Sequence, residues 1–91
     1  MTLNQLRAFV EAERLGSFTG AADALHMAQA SISELVRRLE DELDAQLFVR
    51  GSRRLALTAA GEELLPYAQQ SVLAADGGAQ AVRSVGSLGG G

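Results

Sequence analysis

Three segments with apolar residues at helical spacing follow one another within the first 43 residues, and only short breaks separate them. Thr2 and Gln5 fit a capping box at the start of the first segment, and Gly16 fits the left-handed residue that ends a helix. Ser17 fits the N-cap of a short second helix, and a third helix begins near Gln29. Because amphipathic helices bury their apolar faces by packing together, the chain is predicted to be mainly α.

The third predicted helix has two sides of different chemistry. Its inner side is an apolar stripe of Ile32, Val36, Leu39 and Leu43. Its opposite side carries small and polar residues, namely Ala30, Ser33, Glu34, Arg37 and Asp41. In the first turn, the Gln29 amide can bond adenine and the Ser33 hydroxyl can bond a base or a phosphate. A short helix, a tight turn and a longer helix of this kind predict a helix-turn-helix.

Residues 48–57 predict a two-stranded β wing. Gly51-Ser52 is a turn signal between two short runs that are typical of strands. Positions 45–61 contain no acid, but they contain three arginines, which are Arg50, Arg53 and Arg54. The chain has no lysine, so every cation is a planar guanidinium suited to phosphates and base edges. Because no acid is close in sequence, the cluster favours DNA contact over internal pairing.

A fourth helix is predicted behind this domain of residues 1–58. Thr58 fits its N-cap, the helix covers residues 59–85, and residues 86–91 are a Gly-rich tail or the start of a flexible hinge. Its apolar seam runs through Leu65, Ala68, Val72 and Ala75. Periodicity leaves open whether this seam packs inside the chain or against a second copy.

The composition narrows the classes of function. With no cysteine and one histidine, the chain has no thiolate metal site, redox pair or cysteine nucleophile. It has no nucleophile–base pair or Gly-rich phosphate loop, so we expect neither an enzyme nor a cofactor. We also expect a cytoplasmic protein without membrane contact, because a signal peptide and a stretch of about 20 apolar residues are both absent from the sequence. The net charge of −3 favours an alternative, a small helical protein-interaction or oligomerisation module.

Several of these residues occur in the same order and at the same spacing as in a known family. The matching residues are Gly16-Ser17-Phe18 with Ala21-Ala22, Leu39-Glu40, Leu47-Phe48 with Arg50, and Leu57-Thr58 with Gly61. In this combination the chain, from Leu3 to Ala75, resembles the N-terminal DNA-binding domain of LysR-type transcriptional regulators. The resemblance implies a winged helix-turn-helix, with a three-helix core and a two-stranded wing, followed by a long linker and dimerisation helix. The related domain of molybdate-type regulators is the alternative among DNA-binding proteins.

The resemblance also implies roles for individual residues. Gln29 and Ser33 fall where the third helix touches bases in the major groove, and Arg53 falls where a wing arginine enters the minor groove. The further candidates for DNA contact are Thr19, Ala30, Ser31, Glu34, Arg37, Arg50 and Arg54. Pairing of two subunits is implied for the fourth helix, through Leu65, Ala68, Val72 and Leu73.

The implied partner is double-stranded DNA, bound by a homodimer on an interrupted palindrome. A complete regulator of this family is much longer, forms a tetramer and senses a small-molecule effector through a C-terminal domain. The chain would then correspond to the DNA-binding part of such a regulator, or to a naturally short protein.

Three positions depart from the family pattern. Ala28 stands where the family has a Ser or Thr N-cap, and Ala30 stands where Pro is common. Glu34 stands where basic or amide side chains are more frequent; its carboxylate can accept from cytosine N4 but is repelled by phosphates. We therefore expect an altered operator preference at one base pair. The alternative is that Glu34 pairs with Arg38 at i+4 and reads nothing.

Overall fold

The computed structural model describes residues 1–51 and 53–89, in which three helices are followed by a two-stranded wing and one long helix. The elements are α1 (Leu3–Leu15), α2 (Phe18–Leu25), α3 (Gln29–Leu43), β1 (Phe48–Val49), β2 (Ala56–Leu57) and α4 (Ala59–Gly89). The strands pair antiparallel, with Phe48 opposite Leu57. This architecture confirms the predicted mainly α, winged helix-turn-helix fold.

Local hydrogen bonds set the ends of the first two helices, as the sequence predicted. The Thr2 hydroxyl accepts from the Gln5 amide at 3.1 Å, and the Gln5 side chain accepts from the Thr2 amide at 2.9 Å. Gly16 ends α1 with φ of 70°, a left-handed conformation that glycine adopts without a Cβ penalty. Ser17 then caps α2 through a bond from the Gly20 amide at 3.0 Å.

The core lies between the three short helices and the base of the wing. Its largest fully buried side chains are Phe9, Ile32, Val36, Leu39, Leu47 and Phe48. The Phe48 ring lies 5.5 Å from the ring of Phe9 and 5.7 Å, edge to face, from the ring of Phe18. Since aromatic pairs favour such tilted arrangements, the first wing strand is fixed to α1 and α2.

Helix α4 begins in close contact with the base of the wing. The Thr58 hydroxyl accepts from the Gly61 amide at 3.1 Å, as an N-cap does. A Cβ on Gly61 would overlap the backbone carbonyl of Leu47. The start of α4 is therefore closely packed at Gly61, and a larger residue there would push α4 away from the wing.

The first half of α4 packs on α1, and the second half does not. Ala68 is fully buried, Val72 is partly buried, and Arg7 pairs with Asp76 at 2.7 Å. Residues 77–86 are all exposed. No helix among residues 1–51 and 53–89 is long and apolar enough to cross a membrane.

The sequence predicted that α4 ends at residue 85, and this was wrong, because the helix runs to Gly89. Pro66 and Gly77-Gly78 also lie inside the helix without ending it. Pro66 lacks one backbone donor and each glycine weakens a helix by about 1 kcal/mol relative to alanine, but the hydrogen bonds of the neighbouring turns continue past them. Gly90 and Gly91 of the predicted tail, and Ser52 of the predicted turn, lie outside the described residues.

Candidate nucleic-acid interface

The turn between α2 and α3 sets the direction of the third helix. His26 ends α2 in a left-handed conformation with φ of 55°, and the Met27 amide bonds back to the Ala22 carbonyl at 2.9 Å. Ala28 then precedes α3 without a side-chain cap, as the sequence predicted from the missing hydroxyl. The turn is therefore held by backbone bonds of α2 and not by a cap on α3.

The first turn of α3 presents its side chains to solvent. Gln29, Ala30 and Ser31 are exposed, and Ser33 is partly buried. The Thr19 hydroxyl, at the start of α2, donates to the Gln29 side-chain oxygen at 3.2 Å. Thr19 is among the predicted DNA contacts, and the structure additionally places it where it can orient the Gln29 amide.

The charged side of α3 is an internal ion-pair network. Glu34 accepts from Arg37 at 2.7 Å and from Arg38 at 2.8 Å, and Arg37 also reaches Asp41 at 2.6 Å. Hydrogen bonds from Arg37 and then Arg38 lower the pKa of Glu34 from its ordinary 4.5 to about 2. The predicted alternative of a Glu34–Arg38 pair is thus present in the free protein, and Arg37 joins it.

The three wing arginines differ in their surroundings. Arg53 is exposed and, among the residues described, it pairs with no carboxylate. The Arg54 side chain is exposed, and its guanidinium lies directly over Gly16, at the C-terminal end of α1. The Leu55 amide also bonds the Gly16 carbonyl at 3.2 Å, so this side of the wing is attached to α1.

Arg50 requires a correction. The absence of a nearby acid favoured DNA contact over internal pairing for the wing cluster, but Arg50 pairs with Glu40 of α3 at 2.7 Å. Separation along the sequence did not reveal this pair, because the chain turns after α3 and brings β1 back beside that helix. Glu40 was missed, although it follows Val36 and Leu39 and precedes Leu43 on the apolar side of α3. An acidic residue in an apolar stripe is predicted to be buried, and a buried carboxylate needs a hydrogen-bonding or charged partner.

The predicted dimerisation residues also fall into different environments. Ala68 is fully buried within its own chain, and Leu65 and Val72 pack against the same core. Leu73 is 70% exposed. The seam thus serves the internal packing of α4 on α1, a choice that periodicity had left open. Within residues 59–86 of α4, the exposed large apolar side chains are Tyr67, Leu73, Val82 and Val85.

Comparison with known proteins identifies a family of regulators. Residues 3–62 match the bacterial regulatory helix-turn-helix proteins of the lysR family. The chain is 54% identical over 69 residues to the HTH-type transcriptional activator AmpR of Citrobacter freundii, an alignment that covers 76% of this chain and 24% of AmpR. It is 47% identical over 75 residues to a probable hydrogen peroxide-inducible genes activator of Mycobacterium avium, covering 82% of this chain and 24% of that protein. The chain spans about a quarter of the length of these curated relatives, which are transcriptional regulators and not enzymes.

Solved structures agree with this fold over nearly the whole chain. The BenM DNA-binding domain, in its complex with catB site 1 DNA, is 37% identical with a TM-score of 0.86, over 96% of this chain and 98% of that chain. OxyR of Corynebacterium glutamicum, in its oxidised form, is 38% identical with a TM-score of 0.85, over 89% of this chain and 26% of that chain.

Proposed function

The chain belongs to the LysR family of bacterial helix-turn-helix proteins, which are DNA-binding transcription regulators, and from this premise we propose how it reads its operator. Helix α3 enters the major groove with Gln29 and Ser33 against base edges. The wing lies along the adjacent minor groove, where Arg53 is attracted by the negative potential of a narrow, A·T-rich stretch.

The observation that carries this proposal is the agreement, over 96% of the chain, with a domain solved on DNA. Two local features support it. The first turn of α3 leaves Gln29, Ala30 and Ser31 exposed, and the small side chains of Ala30 and Ser31 allow close approach to a groove. Arg53 remains available to an external anion, whereas Arg50 is held by Glu40.

We further propose that two chains pair through α4 and bind an interrupted palindrome. The first half of α4 is occupied by α1, so the pairing surface is the other side, which carries the exposed Tyr67, Val82 and Val85. Helical spacing places Ala74 and Gly78 on this same side, between Tyr67 and the two valines. Small residues there allow two helices to approach closely, and the two reading helices then meet two half-sites.

The whole regulator is proposed to act in the cytoplasm, on bacterial DNA. A complete protein of this family would add an effector domain beyond α4 and form a tetramer. The small-molecule effector would bind to that domain and not to the residues described above.

Selection from a random duplex pool by the wild-type chain tests the proposal. We expect an enriched sequence with two related half-sites and an A·T-rich stretch beside each. Fluorescence anisotropy should then show preference for the selected duplex over a scrambled copy, with affinity falling steeply as salt rises. A folded chain that enriches no sequence and binds neither duplex at low salt would overturn the proposal and favour a protein-interaction module.

A further inference from the structure

Glu40 is the one charged residue that is buried among those described, and DNA reading as outlined above makes no use of it. It lies in α3 and its side chain is 3% exposed. One carboxylate oxygen accepts from the Leu47 amide at 2.8 Å, and the other accepts from Arg50 at 2.7 Å. Both oxygens are satisfied, as burial of a charge requires.

These two bonds join α3 to the start of the wing. Leu47 immediately precedes β1 and Arg50 immediately follows it, so a single carboxylate holds both ends of the strand. Arg50 also donates to Gln46 at 3.3 Å, which restricts its guanidinium further. The second side of the wing is held separately, by the contact of Arg54 with Gly16.

We propose that Glu40 and Arg50 are positioning residues for DNA binding, which set the wing relative to α3 so that Arg53 meets the minor groove when α3 lies in the major groove. This inference rests on the proposed function. Each strand has only two residues, so the sheet itself gives the wing little rigidity. Holding a loop in its bound conformation before binding lowers the ordering cost of binding. In this arrangement Arg50 contributes through Arg53 and not through a phosphate of its own.

The alternative roles predict different results for Arg50→Gln, Arg53→Ala and the double variant. Anisotropy would measure affinity, salt slope and the ratio of affinities for selected duplexes whose wing-facing base pairs are A·T or G·C. If Arg50 positions Arg53, Arg50→Gln lowers the A·T preference, and the double variant binds like Arg53→Ala within about two-fold. If Arg50 contacts a phosphate directly, the double variant loses affinity additively and its salt slope falls by about 0.9 more. The second result would overturn the inference.

Glu40→Gln should change the affinity for DNA in opposite directions, depending on whether Glu40 positions the wing or only withholds Arg50 from phosphates. The positioning role predicts weaker binding and lost A·T preference, because the wing loses its ion pair. If Glu40 only withholds Arg50 from phosphates, the variant should bind more tightly and with a steeper salt slope, which would overturn the inference. Arg50→Lys should recover part of the A·T preference, since an ammonium can still pair with Glu40.

Folding and matched controls keep the outcomes distinct. Circular dichroism melting checks each variant, and if Glu40→Gln fails to fold, the Arg50 variants decide, because the Arg50 side chain is 52% exposed. Arg83→Gln removes an exposed arginine from the second half of α4, which does not pack on α1, and should bind as wild type. Absence of sequence preference in the wild-type chain would instead remove the proposed function. If the wild-type chain shows sequence preference and Arg50→Gln binds with the same affinity and A·T preference as wild type, only this inference is overturned.

Discussion

The exposed side of α3 and the wing both carry arginines, but they hold them in different electrostatic states. On α3, Arg37 and Arg38 share the carboxylate of Glu34, and Asp41 adds a second partner for Arg37. On the wing, Arg53 faces no carboxylate among the described residues. Helix α3 therefore presents amide and hydroxyl groups on a surface whose charges are paired, while the wing supplies an unpaired cation.

In the proposed complex, this difference separates two contributions to DNA recognition. Hydrogen bonds to base edges carry sequence information and arginines on phosphates carry salt-dependent affinity, while an arginine in a narrow minor groove adds a preference for A·T-rich stretches. It also explains how a chain with net charge −3 can bind a polyanion, since the location of an unpaired cation matters more than the sum of charges.

The largest effect on specificity is expected at Gln29. Gln29→Ala should cost about 1–3 kcal/mol of discrimination at one base pair, because the amide bonds to that base are lost. The salt slope should stay unchanged, since no charge is removed. Anisotropy on the selected duplex and its single-base variants measures both quantities, with Gln80→Ala, exposed on α4 and away from the Tyr67 side, as the control. A uniform loss of affinity on all duplexes would show that Gln29 reads no base.

A smaller and less selective effect is expected at the wing. Arg53→Ala should weaken binding to every duplex, most strongly where the wing-facing base pairs are A·T, and reduce the salt slope by about 1. Arg83→Ala removes an arginine from the distal half of α4 and provides the matched control. If affinity and slope both remained at wild-type values, the wing would have no part in binding.

Removal of the Glu34 carboxylate should make the two regions more alike. Glu34→Gln frees Arg37 and Arg38, so we expect higher affinity for scrambled DNA and a salt slope steeper by up to about 1. The ranking of single-base operator variants distinguishes the two interpretations of this residue. An altered ranking at one base pair supports contact with cytosine, and an unchanged ranking leaves only the ion-pair role.

The smallest effect concerns acid stability. The folded pKa of Glu34 is about 2, below its ordinary 4.5, so its pairing with Arg37 and Arg38 stabilises the fold above pH 4.5. That contribution is lost as the pH falls from about 4.5 toward 2. Circular dichroism melting across this range should show a shallower loss for Glu34→Gln than for wild type. Equal acid slopes would mean that the network contributes nothing to stability.

Local rules predicted much of this molecule, because the relevant interactions span few residues. The Thr2–Gln5 capping box, the left-handed Gly16 and the uncapped start of α3 at Ala28 were all readable from neighbouring positions. The ion pair between Arg50 and Glu40 was not, since it depends on how the chain turns between α3 and β1. The covering of Ala68 by α1 was likewise undetermined, because an apolar seam shows that something packs there but not which element does.

The exposed second half of α4 has a mechanical consequence. Helix α4 leaves the domain at the Arg7–Asp76 ion pair, and the next two residues of the helix are Gly77-Gly78, whose flexibility favours bending at that point. From Asp76 to Gly89 it extends roughly 20 Å at about 1.5 Å per residue, so a tilt of about 10° moves its far end by roughly 3 Å. In the proposed dimer, this lever would convert a slight change of angle into a change in half-site spacing of nearly one base-pair step, about 3.4 Å.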